Sequence, residues 1–299
     1  MKILITGASG QLGSEIVRML SSGQSELGAL PSVYDGAEIT AVDVAEADIT
    51  DSSAIFELVK NVKPDIIFNC AAMTAVDACQ DDPETAMRVN ALGPRNLAIA
   101  AEHVGAALVH VSTDYVFSGD ASVPYREWDV CSPSTVYGKS KLLGEHYVEQ
   151  FCSRYFIVRT AWLYGLKGKN FVKTMRRLGA ERPIVKVVND QRGNPTNAED
   201  LAYHLLLLAA GHEYGLYHCT GQGECSWFDF ARRIMELSGL DRCIVEPCST
   251  AEYAAAAPRP AYSSLDNLML RVTVGDRMRG WDEALQSYIR RLDQSERGV

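Results

Sequence analysis

No apolar run in this 299-residue chain is long enough to cross a bilayer, and its first residues lack a charged-then-apolar leader. A soluble, cytoplasmic protein is therefore expected. Positive charge is scarce: 29 Lys and Arg stand against 38 Asp and Glu, a formal net charge of -9. That argues against nucleic acid or a membrane surface as the main partner, and any anionic ligand would need basic groups gathered locally. Paired cysteines are missing too. The eight thiols at Cys70, Cys79, Cys131, Cys152, Cys219, Cys225, Cys243 and Cys248 follow no zinc-ligand spacing, so reduced thiols are expected and no metal site. Internal repeats are absent as well.

What the chain does contain begins at its amino end. Lys2–Thr6 reads as a short apolar strand, followed at once by Gly7-Ala8-Ser9-Gly10-Gln11-Leu12-Gly13 and an amphipathic helix to about Ser21. Strand, glycine turn and helix in that order let backbone N–H groups approach a pyrophosphate at the helix start. The spacing here is Gly-x-x-Gly-x-x-Gly. A second strand, Glu38 to Val42, ends in Asp43, a side chain placed to bind both hydroxyls of an adenosine ribose. No Lys or Arg occurs between Arg18 and Lys60 to neutralise a 2′-phosphate, which tilts the cofactor from NADPH towards NADH.

The pattern continues with a capped helix from about Ser52, the capping residue being Thr50 or Asp51, and a strand that closes on Asn69. Cys70, Ala71 and Ala72 follow, small enough for a cofactor to lie against the backbone. A long helix from Pro83 to Gly105 carries Asn90 and leads to the strand ending at Thr113. Strand and helix thus alternate four times, which predicts a Rossmann-like α/β fold, a doubly wound parallel sheet with ligands beyond the carboxyl ends of its strands. The glycine turn, Asn69–Ala72 and Thr113 all fall there.

Tyr137 and Lys141 stand four apart in Val136-Tyr137-Gly138-Lys139-Ser140-Lys141, so a helix puts both on one face. A lysine ammonium and an oxidised nicotinamide would lower the tyrosine's pKa and make it a proton shuttle. Thr113 would polarise a carbonyl beside it. After the strand Tyr155–Arg159 the pattern loses regularity: helices at 170–179, 198–210 and 227–238, a strand at 184–188, an alanine- and proline-rich loop at 254–260 and a last helix from about Trp281. Residues 1–165 are expected to form the dinucleotide-binding domain. Residues 166–299 would form a smaller substrate lobe, with segments from about 184 to 218 returning to the first domain.

Several blocks carry a resemblance: Ala71-Ala72-Met73-Thr74-Ala75-Val76-Asp77, Ser112-Thr113-Asp114-Tyr115, Arg159-Thr160-Ala161-Trp162, Gly168-Lys169-Asn170-Phe171, Asn189-Asp190-Gln191-Arg192-Gly193-Asn194-Pro195-Thr196 and Arg259-Pro260-Ala261-Tyr262. Through these and the motifs above the chain resembles the extended short-chain dehydrogenase/reductase superfamily, and within it the dTDP-4-dehydrorhamnose reductase family, along nearly its whole length. Two positions depart from the pattern. Tyr262 stands where members often carry Asn, and Met73 where some carry His.

The resemblance implies reduction of the C4 ketone of dTDP-4-dehydro-L-rhamnose with NADH or NADPH. Thr113, Tyr137 and Lys141 would be catalytic. Gly7, Gly10, Gln11, Leu12 and Gly13 would serve the pyrophosphate, Asp43 the ribose, and Asp48 and Ile49 the adenine, with Asn69 and Ala71–Met73 beside the nicotinamide half. Asp114, Trp162, Arg192 and Arg259 would contact the sugar nucleotide, although Trp162 also fits as a core aromatic and Arg192 as a surface arginine. Monomer and homodimer both stay open, as does a metal at a dimer contact that Glu15 could join. Competing readings are another sugar-nucleotide enzyme and a regulatory partner like that of methionine adenosyltransferase. A dehydratase usually has an Asp-Glu pair after the threonine, and here Asp114 is followed by Tyr115.

Overall fold

The computed structural model describes residues 1–253 and 257–297, so part of the expected 254–260 loop lies outside the described residues. In chain order the principal elements are β1 (Lys2–Thr6), α1 (Gln11–Ser22), β2 (Glu38–Val42), α2 (Ser52–Val62), β3 (Ile66–Asn69), α3 (Gly93–Val104), β4 (Ala107–Thr113) and α4 (Val136–Phe151). There follow β5 (Tyr155–Thr160), α5 (Phe171–Glu181), β6 (Ile184–Val188), α6 (Ala198–Ala209), β7 (Gly215–His218), α7 (Trp227–Leu237), β8 (Ile244–Cys248) and α8 (Trp281–Glu296).

The main sheet has six strands in the order β7-β5-β4-β3-β1-β2, every neighbouring pair parallel. Successive side chains of a strand point to opposite faces, and here both faces are covered, which is why the strands read as unbroken apolar runs. Ile3 and Ile5 pack with Ile16 of α1 and with Leu201 and Leu205 of α6. Leu4, between them, packs with Ile55 of α2, Leu97 of α3 and Val148 of α4. Of the two caps expected for α2, Asp51 is the one used: its carboxylate accepts from the N–H groups of Ser53 and Ala54.

The helix expected from Pro83 to Gly105 is interrupted. A short helix, Pro83–Met87, runs into a wide π turn at Arg88–Leu92 before α3 begins at Gly93. Pro94 has no N–H to return to the carbonyl of Asn90, and that carbonyl lies where a Cβ on Gly144 would come within 2.3 Å of it. The widened turn leaves the Asn90 side chain free to tie down Met73, whose N–H it receives and whose carbonyl it binds, both at 2.9 Å.

The carboxy-terminal lobe has its own core, with Tyr164, Phe230, Leu285 and Tyr288 at its centre. Strand β6 pairs there with β8, not with the main sheet. The chain's return to the first lobe therefore runs from Ala198 to His218, through α6 and β7, and begins later than residue 184.

Candidate functional site

Two adjoining cavities, of about 290 Å³ and 620 Å³, lie beyond the carboxyl ends of the strands and share Gly10, Cys70, Ala71 and Ala72. The smaller is closed by Gly7, Asp43, Asp48 and Ile49. Gly7 has φ of +66°, and a Cβ there would sit 2.7 Å from the Ala71 nitrogen. Gly13 does not line either cavity; it lets α1 close on the turn, since its Cβ would meet the Gly7 oxygen at 2.3 Å. No side chain caps α1 and no acid stands in its first turn, so its leading N–H groups remain for an anion. Asp43 accepts from Ser9 N at 2.9 Å, and backbone hydrogen bonds hold its carboxyl below the usual range. A dinucleotide fits this arrangement: a glycine turn for its pyrophosphate, an ionised acid for its ribose, and no cation in the smaller cavity.

Gln11 and Leu12 line the larger cavity, but the Gln11 side chain has a different destination. Its Oε1 accepts from Gly165 N at 2.9 Å and from Asn170 Nδ2 at 3.0 Å, tying the glycine turn to the second lobe. Asn69 is also committed within the protein. It accepts from Thr6 Oγ1 and Ala71 N and meets His110 Nδ1 at 3.1 Å, which fixes the backbone of the small-residue turn. Met73 lines neither cavity and packs against Tyr137.

Thr113, Asp114, Tyr137, Lys141 and Trp162 all line the larger cavity. Thr113 ends β4, and Tyr137 and Lys141 rise from the first turns of α4, whose start Thr135 caps by accepting from Gly138 N. Gly138 brings the helix against that strand end, since a Cβ there would lie 2.1 Å from the Tyr115 oxygen. Lys141 Nζ donates to the Val111 carbonyl at 2.6 Å, and burial lowers its pKa to about 8 although Glu145, one turn on, opposes the fall.

The fall expected of the tyrosine's pKa is tied to an oxidised nicotinamide beside it; the protein's own groups act the other way. Burial raises the pKa, and Thr113 only tempers the rise. The phenol is therefore protonated at neutral pH, the form that a proton donor requires. Thr113 Oγ1 donates to Asp114 Oδ1 at 2.9 Å. Asp114 is 3% exposed, and burial lifts its pKa to about 6. Ser263 tempers that rise, and Asp114 Oδ2 has no hydrogen-bond partner among the described residues. A buried acceptor left open at a cavity wall is a ready site for a ligand hydroxyl.

Behind these residues lies a buried ion pair. Arg159 Nε and Nη2 reach the two oxygens of Glu145 at 3.0 and 2.7 Å, and the Ser112 hydroxyl donates to the same carboxylate. The arginine's other face lies 5.1 Å over the Phe117 ring.

Trp162 sits in the left-handed region, with φ of +47°. Its ring stacks on Trp227 at 3.5 Å and 6°, and Gly193 leaves room on its flank, where a Cβ would come within 2.6 Å. Trp162 is thus both packed and a cavity wall. Trp227 also lines the cavity, and nothing in the local sequence marks it. The two arginines expected at the sugar nucleotide line neither cavity. Arg192 pairs with Glu224 at 3.1 Å, and Arg259 pairs with Asp77 at 2.7 Å. Glu15 is buried among Arg18 and Arg291, and no helix among the described residues is long and apolar enough to cross a membrane.

Comparisons with known proteins agree with this geometry. The family model described as RmlD substrate binding domain matches residues 1–294. The dTDP-4-dehydrorhamnose reductase of Streptomyces griseus is 42% identical over 288 residues, covering 94% of this chain and 91% of its own. The crystal structure of a dTDP-4-dehydrorhamnose reductase from Clostridium acetobutylicum superposes with a TM-score of 0.92 at 47% identity, covering 98% of this chain and all of its own. That of the Bacillus anthracis reductase in complex with NADP has a TM-score of 0.90 at 41% identity, covering 97% and 99%. On its fold, its site and these likenesses, the chain belongs to the RmlD substrate-binding-domain family, that of the dTDP-4-dehydrorhamnose reductases.

Proposed function

We propose that this protein reduces the C4 ketone of dTDP-4-dehydro-L-rhamnose to dTDP-L-rhamnose, in the making of a nucleotide sugar. The observation that carries the reading is the meeting of Thr113, Asp114, Tyr137 and Lys141 at one cavity wall, beside an uncapped helix start. When bound, the reduced nicotinamide supplies the hydride. Tyr137 donates its phenolic proton to the ketone oxygen, so that hydride and proton together complete the alcohol. Thr113 turns its hydroxyl from Asp114 to the same oxygen. Lys141, anchored to the Val111 carbonyl, has further N–H groups for the cofactor ribose. Asp114 accepts a sugar hydroxyl on its open oxygen, and Trp162 walls the sugar.

Oxidation of reduced nicotinamide on adding dTDP-4-dehydro-L-rhamnose, generated in situ, tests the reading; no oxidation by protein that binds the cofactor would remove it. NADH is the preferred donor in this proposal, because the ionised Asp43 would repel a 2′-phosphate that no cation in the smaller cavity offsets. The expected ratio of kcat/KM is about tenfold in favour of NADH, equivalent to about 1.4 kcal/mol. Asp43→Asn should narrow it, and an equal or reversed ratio in the parent protein would sink the preference.

The pH profile follows from two groups. Asp114 has to be ionised to accept, and its pKa is raised to about 6, so activity is gained as pH climbs through that value. Lys141 has to be charged, and its pKa is lowered to about 8, so activity is lost as pH climbs through that one. A bell between these limbs is expected in kcat/KM. Asp114→Asn should erase the acid limb while keeping the alkaline one, and a profile flat across both values would contradict the assignment.

A further inference from the structure

We infer that Lys169 is a diphosphate-binding residue, delivered to the cavity by a pinned loop of the second lobe. The inference rests on the proposed dinucleotide and sugar-nucleotide chemistry, since each of those ligands carries a diphosphate. In an acidic chain a cation placed where such groups lie adds to what the helix start and glycine turn supply. Among the residues lining the two cavities the cations are Lys141 and Lys169. Lys141 is buried and bound to a carbonyl. Lys169 is exposed and makes no ion pair among the described residues. The two arginines that the sequence offered are each neutralised by a carboxylate, so Lys169 is the cation whose charge remains to be met.

The loop that carries it is held at several points. Gln11 grips it at Gly165 and Asn170, and Asn170 caps α5 by accepting from Lys173 N at 3.0 Å. Lys173 Nζ then donates back to the carbonyls of Leu166 and Gly168, at 2.6 and 3.2 Å. Gly168 turns with φ of +69°, a conformation that favours glycine. A loop fixed in this way brings Lys169 to the cavity wall beside the glycine turn, whereas Lys167, two residues earlier, does not line the cavity. Presentation on a fixed backbone reduces the ordering cost that an exposed lysine otherwise pays.

The test measures dissociation constants by titration calorimetry for NADH and, separately, for dTDP, on the parent protein and on Lys169→Ala, Lys169→Arg and Lys167→Ala. Lys169→Ala should weaken one of the two ligands by about five- to twentyfold and flatten its salt dependence. Lys169→Arg should recover most of that, and Lys167→Ala should match the parent. Loss confined to NADH assigns the lysine to the cofactor's pyrophosphate, and loss confined to dTDP assigns it to the substrate's diphosphate. Unchanged binding of both ligands, or an equal loss in Lys167→Ala, overturns the inference. Binding is read without turnover, so a failure of the reductase reading would appear separately, as parent protein that binds both ligands and oxidises nothing.

Discussion

Tyr137→Phe is expected to lower kcat by about 10²- to 10⁴-fold, the worth of a positioned general acid, with the cofactor's dissociation constant unchanged. The substitution removes one oxygen and keeps the ring, which packs edge-on against Tyr115 at 5.4 Å and against Met73. The lysine anchor is independent of that oxygen, because Lys141 is held by the Val111 carbonyl. Binding and chemistry should therefore separate. Single-turnover oxidation of bound NADH gives the chemical step, and quenching of protein fluorescence gives the binding. A variant that turns over at a rate close to the parent's would dismiss Tyr137 as the proton donor, and one that no longer binds cofactor would show the ring oxygen to be structural.

The second large effect is expected away from the reacting atoms. Arg159→Met should cost about 3–5 kcal/mol of stability, because it leaves the Glu145 carboxylate buried without its cation. Both side chains are almost sealed, at 4% and 3% exposure, and among the described residues the carboxylate keeps one hydrogen bond, from the Ser112 hydroxyl, and the charge of Lys141 one turn away, which bonds elsewhere. In a chain of this size the melting temperature should fall by roughly 10 °C. Removing the carboxylate as well, in Arg159→Met with Glu145→Leu, should restore much of the loss, since two apolar groups need no partner. Calorimetric melting of the parent, the single variant and the double variant checks this. A single variant as stable as the parent would mean that the pair contributes nothing, and a double variant less stable than the single one would rule out the stranded charge as the cause.

What the sequence made legible is what local spacing encodes. A strand running into Gly7, another closing on Asn69 and a third ending at Thr113 place those residues at one edge of a parallel sheet, and four-residue spacing puts Tyr137 and Lys141 on one helix face. Long-range partners are not encoded that way. The Gln11 amide binds a loop about 150 residues on, Arg259 finds Asp77 in the short helix Val76–Asp81, and Trp227 reaches Trp162 from the start of α7. A charge near Tyr137 is visible in a motif, whereas its depth of burial, which raises its pKa in the protein alone, depends on everything that packs around it. The interruption of the 83–105 helix had one local sign, Pro94, whose missing N–H takes effect four residues upstream.

The return of α6 and β7 to the first lobe has a consequence for how the protein can be made. The face of β1 bearing Ile3 and Ile5 is closed by leucines at 201 and 205, and the outer edge of β5 is paired by residues 215–218. While a ribosome is still adding the second lobe, the emerging amino-terminal half therefore shows an apolar face and an open strand edge, the two features that invite association between nascent chains. A protein truncated at residue 165 is expected to aggregate. The point where the pattern of strands and helices changes character is thus not a point where folding can stop.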